Sequence, residues 1–201
     1  MSIIVEHEKR RKEILEKALD VFMDEGFEDA TYQKIADRSG ITRTTLYIYF
    51  KNKKEIFNYS IKQLLATVEK DLLMLRKDKE LHVVDRITAV VCKIIDILEE
   101  NRRLLAVILN YLFYLSKSES NPDDRVRRRT IRLRHILADM VIEGVKEGQI
   151  APVNIRTADD LLYGLIESAI FRLVVLHRES VKEIKEDVTL VIQRLRLNPD
   201  A

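Results

Sequence analysis

The sequence predicts an all-α chain of about nine helices, and three observations carry that prediction. Apolar residues return at three- and four-residue spacing almost throughout, no proline precedes Pro122, and only 5 glycines and 3 prolines interrupt 201 residues. This pattern lays one apolar stripe of each helix on a core. The strict alternation that a half-buried strand needs is absent.

The first helix is expected over residues 6–25, where Ile14, Leu15, Ala18, Leu19 and Phe22 share one arc. Gly26 follows as its stop, because glycine enters the left-handed backbone that ends a helix without a Cβ penalty. Thr31 is placed to cap a short helix reaching Ser39, with Ile35 and Ala36 inward, and Gly40 ends it. Thr42 caps a third helix over 43–50, whose Leu46 and Phe50 meet at i, i+4. A long helix starts from Asn52 as cap and runs to residue 77, with Ile56, Phe57, Ile61, Leu64, Leu65, Val68, Leu72 and Leu75 as its apolar positions. After a charged link, helices are expected at 82–100, 102–115, 124–147, 156–177 and 181–195, with the clearest breaks at 118–122 and 148–152. Compact short helices give way to long ones near residue 51. That divides the chain into domains 1–51 and 52–201, with the fourth helix packing on both.

Composition narrows the function. Apolar residues at 46% and charged residues at 34% exclude wholesale disorder. The longest nearly apolar run, 104–115, falls short of the ~20 residues that span a bilayer. The N-terminus becomes charged at Glu6 before an apolar signal segment can form, so a cytoplasmic location without a membrane partner is expected. A single cysteine, Cys92, reads as core filler and leaves no intramolecular disulfide or thiolate cluster. His7, His82, His135 and His177 lack metal-ligand spacing, so neither metal nor cofactor is expected. No glycine-rich phosphate loop or nucleophile elbow is present, which argues against an enzyme. The net charge of +2 gives no bulk reason to bind nucleic acid, so any such role rests on local placement.

Residues 31–57, TYQKIADRSGITRTTLYIYFKNKKEIF, supply that placement. Two capped short helices around a glycine turn form a helix-turn-helix, whose second helix can enter the major groove of DNA. With Leu46 and Phe50 inward, Thr44, Thr45 and Ile48 fall on the far side, and Arg43, Tyr47 and Tyr49 occupy the first turn and flanks. Arg43 suits a guanine edge, Thr44 a base edge or thymine methyl, and Ile48 a methyl. The hydroxyls of Thr45, Tyr47 and Tyr49 and the Lys53 ammonium suit phosphates. The helix N-termini near Thr31 and Asn52 add unpaired N–H groups and a positive dipole end, so the nearly balanced charge of this segment is no obstacle.

These residues resemble the N-terminal domain of the tetracycline-repressor (TetR) family. The resemblance lies in Gly26-Phe27, Thr31, Ile35-Ala36, Gly40-Ile41, Leu46-Tyr47, Tyr49-Phe50, Asn52-Lys53 and Ile56-Phe57. Ser39 stands where alanine is usual, Thr42 where serine is usual, and Lys54 where an acid is common. The resemblance implies base contacts from Arg43 and Thr44, with Gln33 as a further candidate. It implies phosphate contacts from Tyr32, Thr45, Tyr47, Tyr49 and Lys53. It also implies a C-terminal helical domain that binds an effector and dimerises through the last two helices.

The distal residues bear on that implication. Val181, Ile184, Val188, Val191 and Leu195 repeat at alternating spacings of three and four, a seam suited to a partner helix. The preceding helix is apolar around most of its circumference. Asn110, Tyr111, Phe113, Tyr114, His135, Met140, Tyr163, Glu167 and Phe171 are the candidate ligand-pocket residues, Asn110 and Glu167 being expected as buried polar groups. Their mostly apolar company suits a lipophilic or amphipathic effector. The Arg-rich run 125–134 reads as a solvated helix face. The expected function is a one-component regulator, most simply a repressor, that binds a near-palindromic double-stranded operator as a homodimer and is released by a small molecule. A DNA-binding protein of the same fold, governed by a protein partner or by no ligand, is the alternative.

Overall fold

The computed structural model describes residues 2–117 and 124–197, and it is helical throughout: α1 (Ser2–Asp29), α2 (Tyr32–Arg38), α3 (Arg43–Tyr49), α4 (Lys53–Lys77), α5 (Val83–Glu100), α6 (Arg102–Lys117), α7 (Asp124–Lys146), α8 (Ile155–Val174) and α9 (Lys182–Gln193). Among the described residues there is no strand, only an isolated bridge between Ile150 and Arg196. No described helix is long and apolar enough to cross a membrane. The expected break at 118–122 and the side chains of Leu64, Leu65, Val68 and residues 125–130 of the Arg-rich run lie outside what is described. Beyond them, Arg132 is exposed and Arg134 is ion-paired.

The chain divides into two compact units, 1–69 with 106–114, and 70–105 with 115–201. The first therefore takes in the start of α4 and the middle of α6 as well as residues 1–51. Burial explains this. Ile56 and Phe57 of α4 and Tyr111 of α6 close over Ile14, Leu15, Ala18, Val21 and Phe22 of α1. Ser60 is also buried and donates from Oγ to the Leu15 carbonyl at 2.9 Å. Gly26 ends the regular run of α1, as expected. Its backbone (φ 79°, ψ 172°) breaks the helix, which resumes for a last turn through Asp29 and turns Phe27 back toward the core. Phe27 then lies 5.9 Å from Phe22, 5.0 Å from Phe57 and 4.3 Å from Tyr111, between ring centroids.

In the second unit α5 is the central helix, packed by α7, α8 and α9. Its Val83, Val84, Ile87, Val90, Val91, Ile94 and Ile95 are all buried, so apolar stripes of three neighbours are needed to cover it. This need overturns the expected partner seam. Val181, Ile184 and Val188 are fully buried within their own chain, with Ile192 beside them, while Val191 and Leu195 are half-buried. The end of α8 also comes earlier than expected. The Phe171 carbonyl accepts from both Val175 N (2.9 Å) and Leu176 N (3.2 Å), and His177 enters the left-handed region at φ 50°, so the helix unwinds after Val174.

One fully buried cation organises one end of this unit. Arg86 of α5 donates from Nη1 to the Arg76 carbonyl at the end of α4 (2.9 Å) and from Nη2 to Glu143 Oε1 on α7 (2.6 Å). Lys79 also pairs with Glu143. Burial pushes the Glu143 carboxyl upward, but hydrogen bonds from Lys79 and Arg86 outweigh it and hold it below the usual glutamate range. Asp85 is likewise held low by hydrogen bonds from Gln193 and from Arg196, which chelates it at 2.7 Å through both carboxylate oxygens.

Both carboxylates have folded values below their unfolded ones, so their stabilisation is complete above the unfolded range near pH ~4 and is lost as pH falls through the folded values. The melting temperature should therefore drop on acidification below about pH 4. The double variant Asp85→Asn/Glu143→Gln should melt lower than the wild type at neutral pH and lose less on acidification. Parallel pH profiles for the two proteins would assign the acid sensitivity to other groups.

Candidate functional site

The short helices α2 and α3 are set by their caps. Thr31 Oγ1 accepts from Lys34 N at 3.2 Å, and Thr42 Oγ1 from Thr45 N at 3.1 Å, each satisfying an amide that a helix start leaves free. Gly40, at φ 64°, makes the turn between them, and Ile41 N returns to the Ala36 carbonyl at 3.0 Å. Asn52 Oδ1 caps α4 by accepting from Glu55 N at 2.8 Å, while Glu55 accepts from Lys51 N at 2.6 Å.

Burial decides which side of α3 looks outward. Leu46 and Phe50 are inaccessible, as are Ile35 and Ala36 of α2. Arg43 and Thr44 are exposed, and Ile48 is 71% exposed, an apolar side chain with no cover from its own chain. The Arg43 guanidinium lies 5.7 Å above the Tyr47 ring and donates to its hydroxyl at 3.2 Å, which holds a planar donor fork along the exposed side of α3. An exposed fork, a hydroxyl and a branched aliphatic group on one short face can do what base-edge reading needs: paired donation, single hydrogen bonding and methyl packing.

The flanking groups are held more firmly than sequence could indicate. Tyr32 stacks on Tyr47 at 4.6 Å and donates its hydroxyl to the Phe50 carbonyl at 2.9 Å, closing the C-terminal end of α3 onto α2. Burial, then Tyr47 and Glu55, pushes its pKa up to about 12, so it remains a donor at neutral pH. Thr45 Oγ1 lies 2.8 Å from Thr42 Oγ1. Tyr49 stacks on His7 of α1 at 4.6 Å, above an open groove lined by Glu6, Lys9, Arg10 and Glu13. Lys53 donates to the Glu28 carbonyl at 2.8 Å and sits 4.7 Å over the Phe27 ring; burial lowers its pKa against the pull of Asp29 and Glu28. Gln33 is exposed and donates to Asp37 at 2.7 Å. The His7 and Phe27 contacts join residues far apart in the chain, so no local spacing pointed to them.

The proposed ligand residues do not share one environment. Tyr111 is buried in the aromatic cluster of the first unit, where Asn110, Phe113 and Tyr114 are exposed on the same helix. In the second unit Met140 is core, Tyr163 is half-buried under the Arg134 guanidinium (5.4 Å), and His135, Glu167 and Phe171 are exposed. The expectation that Asn110 and Glu167 are buried polar groups is therefore corrected. Each sits on the outward side of an amphipathic helix and meets its hydrogen-bonding needs in solvent. Of the ligand candidates His135 lines a groove of about 580 Å³ along α7 and α8, whose other lining residues, Ile131, Arg134, Ala138, Asp139, Ile155, Arg156 and Asp159, the sequence did not point to. The described residues hold no cluster of His, Cys, Asp or Glu fit for a metal ion.

Comparison with known proteins agrees with this arrangement. The family model described as "Bacterial regulatory proteins, tetR family" matches residues 14–59, which span α2, α3 and their flanks. The fatty acid metabolism regulator protein of Bacillus subtilis (strain 168) is 26% identical over 172 residues, covering 81% of this chain and 84% of the relative. The helix-turn-helix transcriptional regulator YfiR of the same organism is 30% identical over 157 residues, covering 73% and 71%. Among solved structures, a transcriptional regulator FadR from Bacillus subtilis in complex with stearoyl-CoA matches with a TM-score of 0.74 at 21% identity, over 90% of this chain and 96% of that one.

Tyr32→Phe removes only the hydrogen bond to Phe50 and should cost about 1 kcal/mol of stability, read as a lower melting temperature. An unchanged melting temperature together with weaker DNA binding would instead place that hydroxyl on a phosphate.

Proposed function

The chain belongs to the TetR family of bacterial regulatory proteins, and from that membership we propose a repressor that binds a near-palindromic operator as a homodimer and leaves it when a lipophilic effector binds. The observation that carries this reading is the outward face of α3, where Arg43, Thr44 and Ile48 stand exposed while Leu46 and Phe50 lock the opposite face. Residues 1–51 are the DNA-reading domain and 52–201 the effector and dimerisation domain. Arg43, Thr44 and Ile48 read base edges, with Gln33 at the groove margin. Thr45, Tyr47, Tyr49 and Lys53 hold phosphates, aided by the positive end of α4. Tyr32 serves the same backbone line by fixing Tyr47 and the end of α3.

The dimer is supported by what α8 and α9 leave uncovered. Leu161 and Phe171 lie on one stripe of α8 with Gly164 and Ser168 between them, Val175 follows as the C-cap, and all three apolar residues are about half exposed. Leu190 on the outer side of α9 is 61% exposed. Two-fold symmetry of the dimer predicts a near-palindromic operator with half-sites about one DNA turn, ~34 Å, apart.

The effector we assign is a long-chain acyl-CoA. Its support is the sequence relative named as a fatty acid metabolism regulator, matched over most of its length, and the fold neighbour solved with stearoyl-CoA. An acyl chain with a charged head also meets the amphipathic chemistry expected of the distal domain. The ligand acts only through its preference for the conformation that does not fit DNA, with a coupling of ~1–3 kcal/mol, and DNA weakens ligand binding by the same factor.

Selection from a random duplex pool by the full-length protein should return an inverted repeat, and stearoyl-CoA should displace the protein from it. The absence of any preferred duplex in low salt would remove the DNA-reading assignment. DNA binding that no acyl-CoA alters would favour control by a protein partner.

Arg43→Ala should relax preference at one base position by ~1–3 kcal/mol, whereas Lys53→Ala should weaken all sequences alike and reduce the salt dependence by about one unit. Identical behaviour of the two variants would erase the distinction between reading and positioning residues.

A further inference from the structure

The Lys53 ammonium is not a free surface charge. Its Nζ is held from two sides, by the Glu28 carbonyl at 2.8 Å and by the face of the Phe27 ring at 4.7 Å. The cation–π contact fixes the direction of the long side chain, which otherwise samples many rotamers. The Phe27 ring is fixed in turn. It follows the break at Gly26 and is wedged against Phe57 at 5.0 Å and against Tyr111 of α6 at 4.3 Å, the shortest of its ring contacts. Tyr111 is buried and also meets Phe57 edge-on at 5.0 Å. Tyr111 is therefore the ring that crowds Phe27 most closely, while Phe22 stands farther off at 5.9 Å. The middle of α6 thus belongs to the first unit, while both ends of the same helix belong to the second.

We infer that Phe27 and Tyr111 are positioning residues for the DNA-backbone contact of Lys53, so that α6 reaches the phosphate-holding ammonium at the start of α4 through two rings in tilted contact. This rests on the assignment of Lys53 to a phosphate. Tyr111 sets the Phe27 ring, Phe27 presents a π face to Lys53, and the ammonium is held near the start of α4 with little entropy left to lose when a phosphate arrives. A displacement of α6 withdraws that support without moving the reading face of α3.

The test is a set of double-mutant cycles on the full-length protein, using the duplex it selects from a random pool and reading Kd together with its salt dependence. Lys53→Ala alone should weaken binding about tenfold and lower the salt slope by about one unit. Phe27→Leu and Tyr111→Leu should each weaken binding several-fold, and adding Lys53→Ala to either should then cost under about threefold, because the contact is already impaired. Phe22→Leu removes a ring from the same cluster that does not touch Lys53, and there the Lys53→Ala effect should remain in full. Additive cycles with both Phe27 and Tyr111 would overturn the inference, as would equal non-additivity with Phe22. A salt slope unchanged by Lys53→Ala would instead overturn the phosphate assignment itself. Melting curves identify any variant that fails to fold, and the Phe27 and Tyr111 cycles can each decide the matter alone.

Discussion

The burial of Leu46 and Phe50 is the constraint on which the site depends. A seven-residue helix has little stability of its own, since nucleation consumes most of what its few hydrogen bonds return. The outward face of α3 therefore has a defined direction only because two of its side chains are inaccessible. The Thr42 cap and the Tyr32 hydroxyl close its two ends. Arg43, Thr44 and Ile48 point outward as a consequence. A polar residue at Leu46 would leave the same outward residues in place along the sequence but without a common direction in space.

The same reasoning explains why a domain with almost no net charge suits a polyanion. Its cations are placed rather than numerous. Arg11 lies over Tyr59 at 4.3 Å, Arg43 over Tyr47 at 5.7 Å and Lys53 over Phe27 at 4.7 Å. Each charge is held by a ring face, which restricts its long side chain while leaving positive charge at the surface. In the second unit cations do different work. Arg86 and Arg196 are tied to carboxylates and a helix-end carbonyl, and they join helices rather than meet an outside partner.

Particular residues show how far sequence reaches. Thr31, Thr42 and Asn52 were readable as caps because a side-chain oxygen must sit at a fixed offset from the amide it satisfies, and all three make that bond. The starts of α2, α3 and α4 follow from such local rules. Helix ends were less evenly legible: Gly26 breaks α1 where a glycine stop is expected, but a further helical turn follows it, and α8 stops short because a doubly used carbonyl and a left-handed His177 end it. Asn110 and Glu167 looked buried because their sequence neighbours are apolar, yet on a helix the adjacent residue points elsewhere, and both face out.

By itself the sequence determined the helical class, the caps, the helix-turn-helix and the residues on its outer face, since each depends on chemistry within a turn or two of chain. Tertiary structure alone decided that the α9 stripe covers α5 instead of a partner. It alone placed His7 on Tyr49, and Phe27 and Tyr111 behind Lys53. An apolar stripe states that it must be covered and is silent about what covers it. Only the competition among all the stripes for the available cover assigns each one its neighbour.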